Sequence, residues 1–292
     1  MASDQGPAVQ SALLRNELVR LRRGRGLTQQ QVAAALEWSP SKLIRIEGGG
    51  SSITKVDLDA LLAEYGISSG THRERLQGLN RGARERGWWD RYRDVVSPGY
   101  LGYVGFEAGA AFIRQFQIGY IPGLLQTYEY AEAVTVVGPV EPSRAEQLAR
   151  FRLERQSELR RRSTQPRRYF VLDEGVIRRH VGSRSDRHIM PDQLHSIADQ
   201  AERDDDLTVR VVPFEAGAYA GGIFGTFTLM QFDGGLADIL YLDSDRGAFT
   251  SITGDDPQVG SYKIIFENIL QSAMPAEESV RLIRRVAAEM SA

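Results

Sequence analysis

Between residues 1 and 65 the apolar positions fall at helical spacing in short blocks separated by glycine, serine and proline. In "LTQQQVAAALEWSPSKLIRIEGG", residues 27–49, Thr28 stands as an N-cap, and Gln31, three residues on, can reach back to complete a capping box. Val32 and Leu36 repeat at i and i+4 and give the helix that starts there one apolar stripe. Ser39 and Pro40 form a second cap and first-turn pair after a three-residue turn. Leu43 and Ile46 make the inward stripe of this next helix, which leaves Ser41, Lys42 and Arg45 together on another face. A helix over about residues 8–23 precedes the pair and ends in the arginine cluster "RLRRGRG". A fourth, opened by the cap Thr54 and running to Tyr65, offers Val56, Leu58, Leu61 and Leu62 to close a small all-α bundle.

Beyond a "GISSG" break, residues 71–96 begin at the cap Thr71 and carry Leu76, Leu79 and Ala83 at helical spacing, a linker helix that runs into the aromatic residues Trp88, Trp89 and Tyr92. These aromatics read as a packing plug, the commoner fate of tryptophan. From residue 100 the pattern changes to α+β. It predicts a helix and short strand, a second helix with Pro122 in its first turn, and a long basic helix at 143–162 with Leu148, Phe151 and Leu159 facing inward. A strand and hairpin follow in "RYFVLDEGVIRRHV", then a helix in "MPDQLHSIADQAER", strands in "LTVRVVPF", "GTFTLMQF" and "DILYLDS", and two closing helices. The expected fold is α+β overall: an N-terminal all-α helix-turn-helix bundle, then a larger domain with a mostly antiparallel or mixed sheet of four to six strands.

Charge sharpens this division. Residues 1–86 hold 13 Lys and Arg against 9 Asp and Glu, whereas the remainder holds 23 against 29, so only the N-terminal part is electrostatically suited to a polyanion. The outward Ser41, Lys42 and Arg45 then acquire a use: a major groove admits one α-helix, which needs only a few side chains near its N-terminus to touch bases and phosphates. Absence of cysteine rules out disulfides, thiol nucleophiles and Cys-ligated zinc. No apolar run approaches the roughly 18 residues of a membrane span, and "MASDQGPAVQ" lacks the basic and apolar segments of a secretion signal, so a cytoplasmic protein is expected.

"LRRGRGLTQQQVAAAL" and "SPSKLIRIEGG" carry a resemblance: residues 12–65 are similar to the DNA-binding domain of the XRE family, the Cro and lambda-repressor type. The resemblance implies that Gln29 grips a phosphate, that Ser39 and Lys42 make further backbone contacts, and that Pro40, Ser41 and Arg45 lie where members read bases. It implies too that Arg22 and Glu47 form a structural ion pair between the first and third helices. Glu37 occupies the turn position where the family has glycine, and Pro40 replaces a polar base reader. "ARERGWW", "IPGLLQTYEYA", "FVLDEGVIRRHVG", "VRVVPFEAGAYAGGIFGTFTL" and "PAEESVRLIRRVA" resemble the C-terminal domain that follows an XRE head in a large group of actinobacterial regulators. That domain has no established activity, and many members are encoded beside a small acidic protein thought to be their partner. The implied organisation is a DNA-binding domain at 8–67, the linker helix and aromatic plug at 71–96, and an α+β dimerisation and effector- or partner-binding domain at 100–290.

Nothing in the chain assembles a catalytic or metal-binding motif. Asp173 and Glu174 are adjacent and would point to opposite faces of a strand; His180, His188 and His195 lack tight ligand spacing. Gly217, Gly221, Gly222 and Gly225 are not followed by the lysine and hydroxyl residue of a phosphate loop and read as a hairpin or lid. Neither an enzyme nor a cofactor is expected. Two functions fit. One is a transcriptional regulator that binds double-stranded DNA as a homodimer and senses a ligand or partner through its C-terminal domain. The other is an antitoxin-like protein that holds a small acidic neighbour and regulates its own operon.

Overall fold

The computed structural model describes residues 5–138, 141–243, 249–253 and 256–291. The chain divides into two compact units, one of residues up to 90 with the short segment 234–236, the other of 91–233 and 237 onward.

Five helices build the first unit: α1 (Gly6–Gly24), α2 (Gln29–Ala35), α3 (Pro40–Gly48), α4 (Lys55–Glu64) and α5 (Thr71–Ala83). Local chemistry sets their ends. At α2 the capping box is complete, with Thr28 Oγ1 accepting from the Gln31 amide at 3.2 Å and Gln31 Oε1 from the Thr28 amide at 2.8 Å. Ser39 is at the N-cap of α3 but its hydroxyl lies 3.1 Å from that of Ser41 and caps no amide, leaving Pro40, which lacks an N–H, to open the helix. Gly49, at φ +80°, ends α3 in the left-handed conformation that favours glycine. Thr54 caps α4 through the Asp57 amide. Leu14, Leu18, Val32, Leu43, Ile46, Leu58, Leu61 and Leu62 are buried, and Leu76 of α5 joins them, α5 lying along α1. Val56, read as a core position, is instead 77 % exposed: it sits at the second residue of α4, off the 58–61–62 stripe. Trp88 and Trp89 pack edge to face, their centroids 5.8 Å apart.

In the second unit a six-stranded mixed sheet has the order β3-β2-β1-β4-β5-β6, from β1 (Phe112–Gln117), β2 (Arg167–Asp173), β3 (Leu207–Val212), β4 (Phe227–Gln231), β5 (Ile239–Asp243) and β6 (Phe249–Thr253). β1, β2 and β3 are mutually parallel; β4, β5 and β6 add on antiparallel. The helices are α6 (Pro98–Glu107), α7 (Tyr128–Thr135), α8 (Pro142–Arg160), α9 (Glu174–Arg178), α10 (Ile189–Arg203), α11 (Ala220–Phe224), α12 (Pro257–Ser272) and α13 (Ala276–Ser291). The parallel pairs need crossovers, and α7–α8 and α9–α10 supply them. Phe170, Val171 and Leu172 of β2 are all fully buried, as a strand covered on both faces requires. On one face Phe116, Val171, Phe227, Leu229 and Leu240 pack with Val259, Phe266 and Ile269 of α12.

Three expectations are corrected. β2 leads not into a hairpin but into α9, because Asp173 turns its carboxylate onto the Gly175 amide at 2.8 Å and starts a helix. Pro122 precedes the second helix instead of opening it: α7 begins after the cap Thr127, and residues 121–126 form a turn pinned by Gln126 Nε2 on the Ile121 carbonyl and Gln156 Nε2 on those of Gly123 and Gln126. The glycines at 217–225 are not a hairpin or lid; they flank and fill α11, whose Gly221 meets the Phe116 ring so closely that a Cβ would lie 2.3 Å from it. Asp173 also accepts from the Tyr219 hydroxyl at 2.5 Å, while the buried Glu174 accepts from Arg178 and the Phe214 amide. Both carboxylates thus hold the backbone around α9. His180, His188 and His195 are exposed, and among the described residues no helix is long and apolar enough to cross a membrane.

Candidate nucleic-acid interface

The helix-turn-helix presents a polar surface along α3 and at the start of α2. Burying Leu43 and Ile46 turns Ser39, Pro40, Ser41 and Arg45 outward, all exposed. Arg45 has no hydrogen-bond or ion-pair partner among the described residues, so its guanidinium is available. Lys42 is more constrained: its ammonium donates to Asp57 Oδ1 at 2.6 Å and lies 3.9 Å from the centre of the Trp38 ring. Ile44 is 52 % exposed beside Arg45. Its signal is the helical period, since a residue one step after inward Leu43 is rotated about 100° away from the core.

The turn between α2 and α3 contains the single non-glycine residue at positive φ among those described, Glu37 at +54°. A side chain in this region crowds the following carbonyl, at a cost of about 1–2 kcal/mol, and the packing of α2 on α3 holds it there.

Behind this surface the geometry is fixed by one carboxylate. Arg22, at the end of α1, donates from Nε to Glu47 Oε1 at 2.7 Å and from Nη2 to Glu47 Oε2 at 2.8 Å, while its Nη1 reaches the Leu27 carbonyl at 2.8 Å. Gln29 Nε2 adds a third donor to Glu47, on Oε2 at 2.8 Å. The side chains of Arg22 and Glu47 are 11 % and 4 % exposed, and the hydrogen bonds to Glu47 raise the guanidinium above its ordinary range. One buried fork therefore ties the end of α1, the first residue of α2 and the last turn of α3. Gln29 is thereby oriented by Glu47, with its remaining amide atoms left for another group. The Tyr65 hydroxyl is buried with no hydrogen-bond partner among the described residues, and burial pushes its phenol upward.

Residues 13–76 match the model of a helix-turn-helix domain. Residues 100–285, more than half of the chain, match the family described as a domain of unknown function, DUF5753. Comparison with curated proteins and with solved structures finds no match.

Proposed function

Since the chain belongs to the DUF5753 family and carries a helix-turn-helix domain ahead of that region, we propose that it is a sequence-specific transcriptional regulator of double-stranded DNA, of the XRE kind. The observation that carries this reading is the outward face of α3: a core-anchored helix that presents Ser39, Pro40 and Ser41 at its start and, one turn on, an Arg45 with no partner among the described residues, braced from behind by the Arg22–Glu47 fork. In this reading α3 enters the major groove. Arg45 and Ser41 read base edges, Arg45 being suited to the paired acceptors of guanine. Pro40 and Ile44 supply apolar contact, for which a thymine methyl is the natural partner. Gln29, Ser39 and Lys42 hold phosphates and set the register without reading sequence. Lys42 must then exchange or share Asp57, which makes it a weaker contributor than its charge alone suggests.

The second unit is the proposed dimerisation and effector-sensing part. Three or four base-reading side chains, each worth about 1–3 kcal/mol of discrimination, select too little sequence by themselves, so two heads on one dimer are needed. Work on a chromosome places the protein in the cytoplasm. Selection of bound duplexes from random DNA, followed by sequencing, tests the reading: an inverted repeat with half-sites a whole number of helical turns apart is expected, and recovery of unenriched sequence at low and high salt overturns it.

A further inference from the structure

The second unit has a sheet face that is not apolar throughout. Gln115 of β1 pairs with Thr228 of β4, and Thr228 with Tyr241 of β5, so the three side chains project in a row from the face opposite α12. One step along, Gln117, Thr226 and Asp243 extend the polar area, with the Thr226 hydroxyl donating to Gln117 Oε1 at 3.2 Å. In the other direction the same face ends in Ile113, Met230 and Ile239, which are fully packed. Thr228 is hydrogen-bonded with the Tyr103 hydroxyl and the Tyr103 ring meets that of Tyr241 edge to face, but the rest of the polar end is not filled. It floors a cavity of about 180 Å³ walled by Tyr100 and Tyr103 of α6 and by Arg152 and Arg155 of α8.

The two arginines differ in what they are committed to. Arg155, buried to 4 % exposure, forks onto both oxygens of the equally buried Glu107 and donates to the Tyr100 hydroxyl at 2.7 Å. Its charge is neutralised in place. Arg152, one turn earlier, donates to the Thr135 hydroxyl at 2.5 Å, and that hydroxyl in turn donates to the Ala131 carbonyl. No carboxylate forms an ion pair with Arg152 among the described residues, so a half-buried guanidinium lines a polar hollow whose lining also includes the carboxylate of Asp243. Gln126, which also lines the cavity, leaves its Oε1 buried without a partner among the described residues. Buried polar groups ordinarily find partners, and these are arranged around one empty volume.

We propose that this cavity is the binding site for a small polar metabolite bearing a carboxylate or a phosphate, with Arg152 holding the anionic group and Gln115 and Gln126 fixing the remainder by hydrogen bonds. Its volume lies below the about 300–1,000 Å³ of sites for drug-sized ligands, which limits the occupant to something near an amino acid, a short organic acid or a sugar phosphate. Asp243 at the mouth is an acceptor for a donor on the ligand. The inference rests on the regulatory reading only for the consequence of binding, which would be a change in DNA affinity; occupancy of the cavity stands apart from it.

The test uses the full chain and three probes, L-glutamate, citrate and glucose 6-phosphate, with glucose as the uncharged control, followed by calorimetry and by the thermal midpoint of the far-ultraviolet signal. At least one anionic probe is expected to bind and raise the midpoint where glucose does not. Arg152→Gln should weaken that probe about tenfold or more, the worth of a charge-assisted hydrogen bond, and Gln115→Leu, which leaves every arginine in place, should weaken it as well. No binding by any of the three probes, or equal binding by wild type and both variants, overturns the proposal. Selected duplex DNA titrated in parallel separates the two readings. Retained DNA binding without probe binding removes the cavity assignment alone, and probe binding without DNA binding removes the regulatory reading alone.

Discussion

Glu47→Ala is the perturbation that interrogates the head most directly. Glu47 receives three hydrogen bonds, two from the guanidinium of Arg22 and one from the amide of Gln29, at a site where its own side chain is 4 % exposed. Removing it leaves a buried guanidinium with the Leu27 carbonyl as its remaining acceptor. Breaking a buried pair by deleting one partner costs about 3–5 kcal/mol; the retained carbonyl bond and the nearness of solvent to a residue 9 % exposed place this case near the lower figure. The chain offers a selective probe, because its three tryptophans, Trp38, Trp88 and Trp89, all lie in the first unit, so indole fluorescence during urea unfolding follows that unit alone. The midpoint for Glu47→Ala should fall with an unchanged slope, corresponding to a loss of about 3 kcal/mol. Arg22→Met combined with Glu47→Leu removes both charges and should recover most of that loss, since replacing a whole buried pair by apolar groups is close to neutral. A Glu47→Ala midpoint indistinguishable from wild type would refute the reasoning, for it would mean that the fork is solvated in solution and braces nothing.

Other outcomes follow from the same geometry. Arg45→Ala should cost about 1–3 kcal/mol at one operator position while Gln29→Ala weakens operator and scrambled duplex alike; fluorescence anisotropy on both duplexes distinguishes them, and no effect of Arg45→Ala on either would remove α3 from the groove. Glu37→Gly relieves the left-handed strain and should raise head stability by about 0.5–1 kcal/mol after the entropy cost of glycine, measured by the same tryptophan fluorescence; a loss would show that the Glu37 side chain contributes more than its backbone costs. Fragment 91–292 should sediment as a dimer at micromolar concentration, and a monomer there would count against dimerisation through the second unit.

Features whose causes lie within about one helical turn can be read directly from the chain. Thr28 with Gln31, Pro40 at the start of α3, and the stripes through Val32, Leu43 and Ile46 are legible because caps and a 3.6-residue period act between neighbours in the chain. Glu37 too could be marked as strained from the motif alone. Where partners are distant the pattern ran out. Arg155 reads as one of seven arginines on a charged helix, yet it is buried because Glu107, 48 residues earlier, comes to meet it from α6; nothing in the local spacing separates it from the exposed Arg150 or Arg160. Asp173 looked like the end of a strand and acts as a helix cap, and the glycines at 217–225 looked mobile when Gly221 is small because Phe116 lies against it. Val56 carried the right chemistry for a core position but falls on the wrong side of α4. Only the tertiary structure sets Gln115, Thr228 and Tyr241 in one row beneath Arg152, because three strands drawn from residues 112–117, 227–231 and 239–243 must first pair in register. Charge burial and cavity lining depend on which segments meet, and that is decided by the sum of packing over the whole unit rather than by any stretch of it.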